Sequence, residues 1–260
     1  MTDWSVPSVS GRWLVVWRRH LRVWRKLAGP AVLGNFGEPL LVLLALGYGL
    51  GGFMGKVGGM SYLAFLASGV VCSSTMNTAT FEGLYSAYTR LSVQQTWHAM
   101  LCTPLAVDDI VLGEAMWAAT KGLMSAGAIL IVMTVLGVIH DATILLALPV
   151  LFLTGLCFAS MALVVTSLAH RYDFFLYYST LVVTPMFLLS GIFFPLEGLS
   201  PAIQAGAWAL PLAHAVALVR PMVVGGMPMT SVATHLGVLV LYTSVALYLA
   251  TLLLRRRLLA

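Results

Sequence analysis

The sequence predicts an all-α integral membrane protein with six transmembrane helices, an N-terminal amphipathic interfacial helix, short re-entrant outer helices between spans five and six, and both termini inside. Three observations carry this reading. Of 260 residues only 14 are Lys or Arg and 9 Asp or Glu, so that 9% are charged where a soluble domain has about 25%, and 60% are hydrophobic. Charge-free stretches such as 122–140, 142–170 and 221–254 are long enough to cross a ~30 Å hydrocarbon core at ~1.5 Å per helical residue. The basic residues are also asymmetric. With the N-terminus inside, Arg12, Arg18, Arg19, Arg22, Arg25, Lys26, Arg90, Arg171, Arg255, Arg256 and Arg257 fall inside, only Lys56 and Arg220 outside, and Lys121 within a span. The net charge of +5 is thereby taken up by topology and does not indicate nucleic acid.

The interfacial helix, 10–29, places Trp13, Leu14, Trp17, Leu21 and Trp24 on one side and Arg12, Arg18, Arg19, Arg22, Arg25 and Lys26 on the other. That division suits the headgroup boundary: Trp13, Trp17 and Trp24 anchor it in the interface, and Arg18, Arg22 and Arg25 meet anionic lipid, while docking on protein is compatible with the same pattern. Gly29-Pro30 breaks the helix. Spans follow at 31–53, 60–84, 110–138, 144–169, 174–194 and 231–254.

Between spans two and three, 85–106 is too polar to cross and reads as a short cytoplasmic helix, 87–104, ending at Thr103-Pro104. Arg90, Gln94, Gln95, Trp97 and His98 mix hydrogen-bonding and aromatic groups in a way that suits a protein contact. The apolar outer segment 195–230 is divided by Pro201, Pro211, Pro221 and Pro228 into helices near Pro201 to Ala209 and Leu212 to Val224, which enter the membrane and return without spanning.

No phosphate-binding G-x-x-x-x-G-K-[ST], H-E-x-x-H or C-x-x-C occurs, so neither a P-loop nor a usual metal site is expected. Cys72, Cys102 and Cys157 have no metal-ligand or redox spacing. One enzyme alternative is an intramembrane serine hydrolase using Ser190 with His214 or His235, although no glycine-rich turn precedes Ser190.

Ionisable groups inside spans cost several kcal/mol unless paired or hydrated. Lys121 lies about 16 Å into its span. Glu114, two turns earlier, is too far for a direct pair, which leaves Glu38 and Glu82 as possible partners. Asn35, Glu38, Asn77 and Lys121 supply polar groups, and Tyr177, Tyr178 and Phe187 aromatic faces, for a path that an amphiphilic substrate could follow.

The strings LSGIFFPLEGLS (Leu189 to Ser200) and WALPLAHAVALVRPMVVGG (Trp208 to Gly226), with the basic N-terminal helix, six spans and the loop ending in Thr-Pro, resemble ABC type 2 transporter permeases. The overall pattern is most similar to the nodulation-factor and lipo-oligosaccharide exporter permeases. The resemblance implies a multi-pass protein of the bacterial cytoplasmic (inner) membrane, without catalytic residues, that exports an amphiphile: a lipo-oligosaccharide, lipid-linked glycan or drug. It also implies a homodimer carrying two copies of a cytoplasmic ABC ATPase, which binds the ATP and Mg; no cofactor belongs to this chain. Arg90, Gln94, Gln95, Trp97, His98, Thr103 and Pro104 would form the coupling helix. Trp97→Ala or Arg90→Glu should then uncouple hydrolysis from transport while leaving the permease folded. A further alternative is a membrane assembly subunit that binds an ATPase and translocates nothing.

Overall fold

The computed structural model describes residues 10–26, 29, 40–47, 49–139, 141–226 and 232–259. Of the expected first span, 31–39 and 48 lie outside the described residues, and Asn35 and Glu38 with them; 40–47 are helical.

Helix α1 is Trp13–Lys26. A two-residue hairpin, β1 (Lys56–Val57) against β2 (Met60–Ser61), turns through Gly58 and Gly59, both at positive φ as a tight hairpin requires. Ser61 then caps α2 (Tyr62–Phe81), its Oγ accepting the Ala64 N–H. The chain stays helical beyond the expected end at 84, through π-turns at Glu82–Ser86 and Thr89–Val93. Each π-turn adds a residue per turn and rotates the helix beyond it, and this carries Arg90 inward. The expected 87–104 helix is therefore two pieces. The first continues α2; the second, α3 (Thr96–Leu101), begins after Gln95, which sits at φ 53° and is, among the described residues, the one non-glycine at positive φ.

Helix α4 (Val107–Val135) starts three residues earlier than expected because Asp109 turns back to accept the Ala106 N–H at 3.1 Å. A 3₁₀ turn, Ala142–Leu146, leads into α5 (Ala147–Leu168). The fifth apolar segment is continuous from Asp173 to Leu189 as α6 (Asp173–Tyr178), a π-turn (Ser179–Val183) and α7 (Thr184–Leu189). Pro185 removes a backbone donor there, and the wider turn before it accommodates the loss. The helix stops short of the expected residue 194, since Gly191 turns at φ 73°. Helices α8 (Pro201–Trp208) and α9 (Pro211–Val223) each begin on proline and meet at 89°. Helix α10 (Val232–Leu259) completes the chain.

Among the described residues three helices are long and apolar enough to cross a membrane, Val107–Val135, Thr143–Leu168 and Val232–Leu259, or four if the bent α8–α9 pair is counted as one. Helix α5 lies at the centre, packed by α2, α4 and α10. Small residues allow this closeness: a Cβ on Gly83 would lie 2.7 Å from that of Ala162, and one on Gly155 would lie 3.1 Å from the Ala119 Cα.

The first described residues and the last turn of α10 gather where residues 85–109 lie. Arg12 donates to the Pro104 carbonyl, Ser10 to Asp109, and Arg257 to the carbonyls of Thr166, Ser167 and Ala169 at the end of α5. Arg255 grips Asp108 through two nitrogens, at 2.7 and 2.5 Å. Since Asp108 is buried, Arg255→Ala should lower stability by about 3–5 kcal/mol by removing its two-nitrogen cationic clamp. Thermal unfolding in detergent would show a midpoint well below that of the parent chain; an unchanged midpoint would make the pair a surface ornament.

Candidate functional site

Two carboxylates in otherwise apolar helices organise the 85–109 end. Glu82 leaves α2 at its first π-turn and Glu114 lies two turns into α4; they are 5% and 2% exposed. Glu82 accepts from Lys121 Nζ at 2.8 Å and Trp117 Nε1 at 3.1 Å, and pairs with Arg90 at 3.0 Å. Glu114 accepts from Arg90 Nε at 3.0 Å and Trp97 Nε1 at 2.8 Å, and meets His20 Nε2 at 3.1 Å. Arg90 thus bridges the two carboxylates. Burial alone works against its charge, but Glu114 and then Glu82 outweigh this and raise its pKa above the ordinary guanidinium value. Two acids face Arg90 and Lys121, and the Trp97 and Trp117 N–H groups and His20 take up further lone pairs, as a buried network requires.

The network joins α1 through His20, the end of α2 through Glu82 and Arg90, α3 through Trp97, and α4 through Glu114, Trp117 and Lys121. Of the residues expected to couple to an ATPase, Arg90 and Trp97 are turned inward, Trp97 being fully buried. Gln94, Gln95, His98, Thr103 and Pro104 are exposed and form the outer surface of the same segment. Lys121 has Glu82, one of its two expected partners.

The interfacial tryptophans are turned onto protein. Trp17 Nε1 donates to Thr120 Oγ1 at 3.0 Å, Trp24 meets Trp117 edge-on at 6.4 Å, and His20 stacks on Trp117 at 5.9 Å. Trp13 is half-buried, while Arg18, Arg22 and Arg25 are exposed. Amphipathicity shows that one side of α1 is apolar, not whether lipid or α4 covers it. Glu114 and His20 did not stand out in the sequence as a site; the available signal was an acid within an apolar span, which needs a donor from somewhere.

The path residues are less gathered. Asn77 is half-buried on α2; Tyr177 is 63% exposed, Phe187 packs edge-on against Phe193 at 5.0 Å, and the buried Tyr178 hydroxyl has no partner among the described residues. The hydrolase alternative fails on geometry. Ser190 Oγ donates to the Met186 carbonyl, whereas His214 and His235 are hydrogen-bonded to each other, so no nucleophile–base pair forms among the described residues. Nor do three His, Cys, Asp or Glu cluster as metal ligands among them. The arrangement carries no catalytic chemistry; it is a charge-locked joint between four helical elements.

Comparison with known proteins agrees. The family described as ABC-2 type transporter matches residues 12–224. Nodulation protein J of Rhizobium leguminosarum bv. trifolii is 48% identical over 255 residues, covering 98% of this chain and 97% of the relative. Nodulation protein J of Rhizobium meliloti is 45% identical over 254 residues, covering 98% and 97%. The inner membrane transport permease YadH of Escherichia coli is 25% identical over 240 residues, covering 91% and 90%. With a family match over most of its length and relatives aligned nearly end to end, the chain belongs to the ABC-2 type transporter family, as a multi-pass inner-membrane transport component and not an enzyme.

Proposed function

We propose that this chain is the transmembrane half of an ATP-driven exporter of an amphiphilic substrate, with two copies pairing and two copies of a cytoplasmic ATPase docking at the 85–109 end. The observation that carries the reading is the joint itself. An exposed polar tip, Gln94, Gln95 and His98, is tied through Trp97 and Arg90 to Glu114 on the long helix α4. A push on that tip reaches the bundle through hydrogen bonds and not through a loose loop. The basic side of α1 and the basic residues of α10 gather at this end, which supports its assignment to the cytoplasmic side with both termini inside. The exposed Tyr177, the half-buried Asn77 and the apolar fifth segment suit a ligand with both sugar and acyl parts. The similarity to proteins named Nodulation protein J favours a lipo-oligosaccharide.

Purification from the native membrane through a tag after Ala260, with quantitative mass spectrometry, tests this directly. The expected result is a nucleotide-binding ATPase in about equimolar amount; a chain recovered alone even after crosslinking would remove the reading. Reconstituted ATP-dependent transport would separate an exporter from an assembly subunit that translocates nothing. Gln94→Glu combined with His98→Glu should leave unfolding unchanged, since both side chains face solvent, yet reduce ATPase recovery about tenfold, the equivalent of ~1.4 kcal/mol. Full recovery in that variant would place the docking surface elsewhere.

A further inference from the structure

The opposite end of the bundle holds a group that the export reading leaves unused. His214, in the first turn of α9, and His235, in the first turn of α10, are buried and face each other with Nδ1 to Nδ1 at 2.7 Å. His214 Nε2 lies 2.8 Å from the Trp208 carbonyl at the corner between α8 and α9. A carbonyl only accepts, so Nε2 of His214 carries a proton. In the neutral pair Nδ1 of His214 is then a bare acceptor, and His235 supplies the Nδ1–H. Trp208 packs at a tilt against both imidazoles, its ring centroid 5.6 Å from each, and Tyr242 of α10 donates to the Ala209 carbonyl at the same corner.

We propose that this pair is a proton-responsive latch holding the bent outer helices α8 and α9 against the last span. The logic is one of proton count. A first extra proton enters at Nε2 of His235 and leaves the Nδ1–H···Nδ1 bond in place, now charge-assisted. A second proton has only Nδ1 of His214 left. It removes the acceptor and sets two imidazolium cations in contact, so the latch opens. The two steps belong to the pair, and the second sets like charges on nitrogens 2.7 Å apart. The contact is therefore present at neutral pH, survives the first proton, and is lost on the further acidification that supplies the second.

Little else nearby titrates. Helix α8 carries no Asp, Glu, Lys or Arg, nor does α10 before Arg255, and 227–231 hold no ionisable side chain. Arg220, farther along α9, is held away by Ser68 Oγ at 3.1 Å, the Gly191 carbonyl at 2.6 Å and the Phe65 ring at 3.7 Å. Asp141, before the 3₁₀ turn that packs on α9, lies against Gly225; Cys72 of α2 and Cys157 of α5 are buried thiols. Glu197 precedes α8 on the exposed surface. That the latch reads the outer compartment rests on the orientation proposed above; its opening does not.

Hydrogen–deuterium exchange on the full chain in lipid nanodiscs, at pH 7.5 and 5.0 and corrected for intrinsic rates, tests it. Segments 211–223 and 232–243 should lose protection about tenfold at pH 5.0, while α5 stays unchanged. In His235→Gln the amide donates to neutral His214 and, turned over, accepts from its imidazolium, and no second cation can form, so protection at pH 7.5 should remain and the acid loss should vanish. The reciprocal His214→Gln should behave alike. His170→Gln, on the exposed opposite end, should respond to acid as the parent does. Equal protection at the two pH values in the parent chain would overturn the proposal, as would an undiminished acid response in both glutamine variants.

Discussion

Arg90→Glu should yield no folded permease. The change puts a third carboxylate between Glu82 and Glu114, which are otherwise buried and held within 3.0 Å of one guanidinium. Removing one partner of a buried pair costs about 3–5 kcal/mol, and reversing its sign adds repulsion against a total stability of about 5–15 kcal/mol. Coupling helices are ordinarily pictured as surface features, and the composition of 85–106 encouraged the expectation that this substitution would uncouple a chain that still folds. The inward rotation of Arg90 overturns that expectation. Size-exclusion profiles of the solubilised variant should lack the monodisperse peak of the parent. A normal peak with a normal unfolding midpoint would show that the two acids find other partners. A cycle of Arg90→Gln, Glu114→Gln and the double variant refines the test. Each single change strands charge, so the double should be less damaging than the sum by about 1–3 kcal/mol.

The parts of the fold legible in the sequence are those set by local rules. Proline at 201 and 211 fixed where α8 and α9 begin, because a first-turn proline gives up no intrahelical bond. Long uncharged runs located α5 and α10 to within a few residues and marked the second half of α4. The depth of Lys121 demanded an acid and left Glu82 as a candidate, which the structure selects. What was hidden depends on rotation and on distant partners. Two π-turns in 82–93 change which side chains face inward, and hydropathy does not record a half-turn of twist. The tryptophan side of α1 reads the same whether it meets lipid or Thr120 and Trp117. His20 and Glu114 are 94 residues apart, so their meeting is a property of packing alone. The fifth helix ends early because Gly191 turns and offers its carbonyl to Arg220, a partner 29 residues downstream.

Gly113→Leu should separate α1 from α4 while the rest of the permease stays folded. A Cβ at Gly113 would lie 2.6 Å from Val16 Cβ and 2.9 Å from the Trp13 carbonyl, so the obstruction includes backbone that cannot rotate away. Overpacking of this kind costs about 1–3 kcal/mol, and leaving the groove also forfeits the Trp17–Thr120 bond and the His20–Glu114 contact. Glu114 keeps Arg90 and Trp97, which explains why the damage should stop there, in contrast to Arg90→Glu. A released α1 has its tryptophans and arginines disposed to lie on lipid, the environment its sequence alone would suggest. Trypsin cleavage at Arg19 and Arg22 in intact nanodiscs should accelerate about tenfold or more, consistent with loss of ~1.4 kcal/mol or more of local protection. The size-exclusion peak should be retained. Unchanged cleavage would mean that α4 can bend around the added side chain, and the close approach at Gly113 would then carry no weight in holding the joint.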